Sequence, residues 1–133
     1  MTSVIVVDDN PSVRTMARVL LEDAGFEVVE ADGGAAALRV VRGMRPDVVL
    51  CDLFMPDLDG LEVIRALRSD FPDAKIIAMS GGAFGGVLDL LPVAQKLGAS
   101  AILHKPFTQK TMLQTIERAL QSTPEAPASP GDA

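Results

Sequence analysis

Tryptophan and tyrosine are absent from this 133-residue chain, and five phenylalanines are its whole aromatic complement. A core must then be built from aliphatic side chains, and platforms for stacking nucleotide bases are scarce. Positive charge is in the minority, with 12 Lys and Arg against 18 Asp and Glu, a formal net charge of −6. Such a field repels a phosphate backbone or an anionic membrane surface, and no Lys/Arg cluster offsets it, so direct nucleic-acid binding is not expected. One cysteine, Cys51, excludes an internal disulfide and a thiolate-held metal cluster. Behind Val48, Val49 and Leu50 it reads as a small core residue. No apolar run approaches the roughly 18 residues that cross a bilayer. The amino terminus has no basic n-region, and Asp8 and Asp9 interrupt its apolar stretch, so neither a signal peptide nor membrane insertion is expected. The expected location is cytoplasmic.

What is present alternates. Five short runs are rich in β-branched or aliphatic residues: Val4–Val7, Phe26–Glu30, Asp47–Cys51, Lys75–Met79 and Ala101–Leu103. Four are nearly continuous apolar stretches, which suits strands buried on both faces of a parallel sheet. The second carries Glu27 and Glu30 and suits an edge. Between the runs lie helical patterns. Val13, Met16, Ala17, Leu20 and Ala24 follow a first-turn Pro11 and end at Gly25. Ala36, Ala37, Val40 and Val41 close near Gly43, and Leu61, Ile64 and Leu67 stop before Pro72. A fourth helix is expected over Leu88–Leu97, confined or bent by Pro92, and Thr108 is placed to cap a fifth. The pattern is (βα)₅, an α/β fold with a parallel sheet and helices on both faces. From Ser122 the composition turns to Pro, Ala, Ser and Gly, so residues 122–133 read as a disordered tail behind a domain of residues 1–121.

In an open parallel sheet, sites gather beyond the carboxyl ends of the strands. Asp8 and Asp9 close the first run and Asp52 the third, while Ser80 ends the fourth and Lys105 the fifth. If those strands are neighbours, all five side chains converge. Clustered carboxylates repel one another, and a hard divalent cation relieves them; Mg²⁺ takes oxygen ligands and suits one or two carboxylates plus phosphate oxygens. A carboxylate beside such an ion can attack phosphorus. A lysine ammonium and a serine hydroxyl can then hold the phosphoryl oxygens.

The stretches Val6-Val7-Asp8-Asp9, Asp52-Leu53-Phe54-Met55-Pro56, Asp59-Gly60, Met79-Ser80-Gly81 and Lys105-Pro106-Phe107 resemble the receiver (response regulator) family of two-component signalling, over about residues 3–121. The resemblance implies a flavodoxin-like doubly wound sheet of strand order 2-1-3-4-5. It implies Asp52 as phosphoacceptor, Asp9 as a direct ligand of Mg²⁺ or Mn²⁺, Asp8 acting through a metal-bound water, and the Phe54 carbonyl as a further ligand. Ser80 and Lys105 are the implied phosphoryl contacts, with Pro106 following the lysine through a cis bond. The implied partners are a histidine kinase or histidine phosphotransfer protein and a downstream protein target. The domain itself would catalyse its phosphorylation and dephosphorylation. Output is then expected through protein–protein contact or a relay.

Two departures concern the read-out. Ile102 stands where the family often has Tyr or Phe, and the segment after Ser80 is longer than in common members and holds Gly81, Gly82, Gly85 and Gly86. Rearrangement on phosphorylation is therefore expected in residues 80–88 rather than at Ile102. The rival reading is a degenerate receiver fold that binds a partner without phosphorylation, which a missing acid or lysine would have favoured. Asp57-Leu58-Asp59-Gly60 also resembles the nucleophile loop of haloacid-dehalogenase phosphatases, but there the first Asp follows a strand directly, and here Pro56 precedes it.

Overall fold

The computed structural model describes residues 2–53, 60–80 and 91–121 of the chain. Strands β1 (Ser3–Val7), β2 (Glu27–Ala31), β3 (Val48–Asp52), β4 (Lys75–Ser80) and β5 (Ala101–His104) alternate with helices α1 (Pro11–Asp23), α2 (Gly34–Met44), α3 (Gly60–Asp70), α4 (Leu91–Leu97) and α5 (Gln109–Gln121). All strand pairs are parallel, and the order across the sheet is β2-β1-β3-β4-β5. This is the flavodoxin-like arrangement, and the polar second strand does lie at an edge.

Alternation along the strands divides the core in two. Ile5, Val7, Val49, Cys51, Ile76 and Ala78 face Ala37 and Val41 of α2, Val63, Ile64 and Leu67 of α3, and Ala94 of α4. Val4, Val6, Val48, Leu50, Ile77 and Met79 face the other way, onto Ala17 and Leu21 of α1 and Met112, Ile116 and Ala119 of α5. With both faces covered, a strand such as Val4–Val7 must be apolar throughout, and all four residues are fully buried. Each such side chain contributes about 1.5–3 kcal/mol by leaving water.

Local chemistry sets the ends of the elements. Asn10 caps α1, its Oδ1 accepting from the N–H groups of Ser12 (2.9 Å) and Val13 (3.3 Å), with Pro11 at the first helical position. Thr108 caps α5 by accepting from Thr111 N–H at 3.1 Å. Asp47 precedes β3 rather than opening it. Its Oδ2 accepts from Ser3 N–H (2.9 Å) and Ser3 Oγ (3.2 Å), so it clamps the far end of β1. Gly43 does not end α2. The helix runs to Met44, and Arg45 makes the left-handed turn (φ 53°), its N–H donating to Val41 O at 2.9 Å. The Arg45 guanidinium makes a cation–π contact with Phe71, 5.6 Å from the ring centre. Pro92 is the second residue of α4, where a proline is tolerated because the backbone N–H has no helical partner. Residues 88–90 of the expected fourth helix, and the tail 122–133, lie outside the described residues.

Candidate functional site

The sheet order brings β1, β3, β4 and β5 side by side, and their carboxyl ends form one edge. Asp8 follows β1, Asp52 closes β3, Ser80 closes β4 and pairs in register with His104, and Lys105 comes next. The ligating oxygens of Asp8, Asp9 and Asp52 lie within 4.8 Å of one another. Lys105 Nζ reaches Asp8 Oδ2 at 2.6 Å and Asp52 Oδ1 at 3.5 Å. Lys105 N–H donates to Ser80 O at 2.8 Å, which ties the lysine to the end of β4. The five residues selected from the sequence therefore share one edge, with the three acids in mutual reach and the lysine paired with Asp8 and Asp52.

The acids differ in environment. Asp8 is fully buried and Asp52 is 5% exposed, whereas Asp9 is exposed. Both carboxylate oxygens of Asp8 are engaged, Oδ1 by Asn10 N–H at 2.9 Å and Oδ2 by Lys105. A carboxylate held on both oxygens retains lone pairs for a water, but it is poorly placed to turn toward an ion. Asp9 makes no such bonds among the described residues and faces solvent, where a hydrated cation arrives. Three hard oxygen donors in this spacing could hold a divalent cation such as Mg²⁺.

Ser80 is buried. The Lys105–Pro106 peptide bond is cis, as the resemblance implied. Ile102 pairs with Ala78 and packs partly buried on the core that faces α2, α3 and α4. His104 is exposed. Phe54, Pro56 and Asp59, like Gly81, Gly82, Gly85 and Gly86, lie outside the described residues. Sequence reasoning passed over Arg14. Its guanidinium joins the Asp8 backbone carbonyl to Glu30 of β2, while Arg18 joins Glu30 to Glu22. The available signal was Arg14 and Arg18 one helical turn apart, with a glutamate on the edge strand. Burial raises the Glu30 pKa, but hydrogen bonds from Arg18 and Arg14 outweigh it and hold the carboxyl below its ordinary value.

Fold and edge together define a class: a doubly wound parallel α/β protein with a carboxylate cluster and a lysine at the carboxyl ends of its central strands. Residues 4–117 match the model of the response regulator receiver domain, so the chain belongs to that family, the receivers of two-component systems. It is 36% identical over 121 residues to the chemotaxis protein CheY of Listeria monocytogenes, covering 90% of this chain and 98% of that protein. It is 33% identical over 125 residues to the DNA-binding response regulator MtrA of Mycolicibacterium smegmatis, covering 94% of this chain and 53% of the longer protein. Among solved structures, the Vibrio cholerae chemotaxis protein CheY4 superposes with a TM-score of 0.81 at 33% identity, over 90% of this chain and 98% of that one. No helix among the described residues is long and apolar enough to cross a membrane.

Proposed function

We propose that this receiver accepts a phosphoryl group on Asp52 from a phosphohistidine on a histidine kinase or phosphotransfer protein, and passes the signal on through a protein partner in the cytoplasm. The observation that carries the reading is the cluster itself: Asp8, Asp9 and Asp52 within 4.8 Å, with Lys105 shared between Asp8 and Asp52. In the transfer, an Asp52 carboxylate oxygen forms a bond to phosphorus while the phosphorus–nitrogen bond of the donor breaks, and the imidazole leaves with its electron pair and takes up a proton. Mg²⁺ or Mn²⁺, when bound, neutralises charge on the phosphoryl oxygens.

This chain's own side chains would do the rest. Asp9, exposed, would ligate the ion directly; Asp8, already engaged on both oxygens, would act through a bound water; and the Phe54 carbonyl would complete the protein ligands. Lys105 sits between Asp8 and Asp52, within reach of a phosphoryl oxygen on the latter, and Ser80 at the neighbouring strand end would donate its hydroxyl to another. The chain would thereby catalyse its own phosphorylation, and water attack at the same phosphorus would reverse it. All of the acids and the lysine that the chemistry needs are present. That favours phosphorylation over a receiver fold that only docks.

The test is incubation with acetyl phosphate and Mg²⁺, read by intact mass. One phosphoryl group should be added to the wild type and none to Asp52→Asn. Undiminished labelling of the Asn variant would sink the assignment.

A further inference from the structure

Arg14 stands in α1 with its backbone N–H donating to Asn10 O at 3.0 Å. Its Nη1 donates to the Asp8 carbonyl at 2.9 Å, and its Nε donates to Glu30 Oε1 at 2.9 Å. The side chain is only 17% exposed. Because it bridges β2 and the end of β1, the guanidinium is held by two acceptors on different elements. The Asp8 carbonyl and the Asp9 N–H belong to one planar peptide unit. A hydrogen bond on that carbonyl therefore sets the rotation of the peptide that leads into Asp9. Asp8 has independent restraints, namely its N–H on Ala31 O (3.1 Å) and its carboxylate on Asn10 N–H and Lys105. Asp9 has no side-chain restraint of this kind among the described residues, so the backbone beneath it, which sets the direction of its Cα–Cβ bond, is what limits where its carboxylate can reach.

We infer that Arg14 is a positioning residue, which holds the Asp8–Asp9 peptide in the orientation that presents Asp9 to a divalent cation. The inference rests on the reading of Asp8, Asp9 and Asp52 as a Mg²⁺ site. Charge and position make opposite demands at Arg14, which gives the inference its sign. A guanidinium beside a cation site repels the cation, so removing its charge alone would tighten Mg²⁺ binding. Removing a restraint on the ligand backbone weakens binding, and groups that orient metal ligands typically account for tenfold or more in affinity. Arg18 is the internal control. It lies one turn further along α1 and shares Glu30 as partner, with Nη1 at 3.1 Å from Oε2, but among the described residues its side chain pairs only with Glu30 and Glu22.

The experiment is Mg²⁺ titration by calorimetry on the wild type, Arg14→Gln, Arg14→Lys and Arg18→Gln, at a temperature where circular dichroism shows each of them folded. Amide spectra are recorded without metal. Arg14→Gln should bind Mg²⁺ about tenfold more weakly. Arg14→Lys should lose less, since one ammonium can still serve one of the two acceptors. Arg18→Gln should bind as tightly as the wild type or more so. In the metal-free spectra the Asp9 amide should shift in Arg14→Gln and stay in place in Arg18→Gln. Unchanged or tighter binding by Arg14→Gln, with the Asp9 amide unmoved, overturns the inference alone. Equal weakening by Arg18→Gln also overturns it, because the effect would then belong to the packing of α1. A wild type that binds no Mg²⁺ overturns the metal reading and this inference with it.

Discussion

At the scale of single residues, Glu30 shows how an edge strand is made to hold charge. Its partly buried position penalises the carboxylate, yet Arg18 and Arg14 each bring a hydrogen-bonded guanidinium, and the net effect lowers its pKa. The ionised form is thus better held in the folded chain than in the unfolded one. The stabilisation is complete above the ordinary glutamate pKa of about 4.3 and is lost as pH falls through the lower folded value. Glu30→Gln should then cost up to about 1 kcal/mol at neutral pH, a modest figure because these ion pairs are partly solvated. The gap between variant and wild type should narrow as the pH falls from neutral to below the ordinary glutamate range. Urea unfolding at the two pH values checks it, and a gap that persists in acid would assign the loss to packing instead.

At the scale of elements, two glycines that look alike in the sequence behave oppositely. Gly98 follows α4 at φ +126°, and an added Cβ would lie 2.8 Å from Arg68 Nε and 2.9 Å from its Cγ. That arginine is no bystander. Its Nη2 donates to Gly98 O at 2.8 Å and its Nη1 to Pro72 O at 2.6 Å, so it joins the ends of α3 and α4. Gly98→Ala should destabilise the fold by about 2–3 kcal/mol, through backbone strain and displacement of Arg68. Gly43, inside α2, has nothing within 4 Å of an added Cβ. Gly43→Ala should stabilise by up to about 1 kcal/mol, the helix-propensity difference. Chemical denaturation of the pair reads both signs, and a loss at Gly43 comparable to that at Gly98 would refute the distinction.

At the scale of the whole molecule, the site opposes the stability of the metal-free fold. Three carboxylates are brought within 4.8 Å, and one lysine offsets them only in part. Asp9→Asn removes one charge without breaking a hydrogen bond among the described residues, so it should raise the metal-free melting temperature. On the proposed reading, Mg²⁺ binds the folded chain and not the unfolded one, and should stabilise the wild type by about 2.7 kcal/mol at a hundredfold excess over its Kd, several degrees in melting temperature. Asp9→Asn should lose most of that response. Calorimetric melts with and without Mg²⁺ read both effects, and a variant that melts lower than wild type without metal, yet responds fully to Mg²⁺, would be contrary to the proposed role of Asp9.

The sequence by itself determined the alternation of strands and helices, the edge position of β2 and the identity of the acids, serine and lysine. Apolar runs such as Val4–Val7 and Ile76–Met79 admit little but a strand covered on both faces, and Asn10-Pro11 and Thr108 carry their capping chemistry locally. The tertiary structure decided what depends on residues far apart in the chain. Asp47 sits just ahead of β3 and ties it to Ser3, 44 residues away, whose N–H and hydroxyl both donate to its carboxylate. The helix expected to close near Gly43 ends one residue later, at Met44, with Arg45 in the left-handed turn and its guanidinium over Phe71, 26 residues on. Lys105 and Asp8 meet across 97 residues, at a distance that strand order and register impose and periodicity cannot express. Arg14 had the same invisibility: its role depends on which carbonyl lies opposite its side chain, and only the packing of α1 against β1 and β2 places one there.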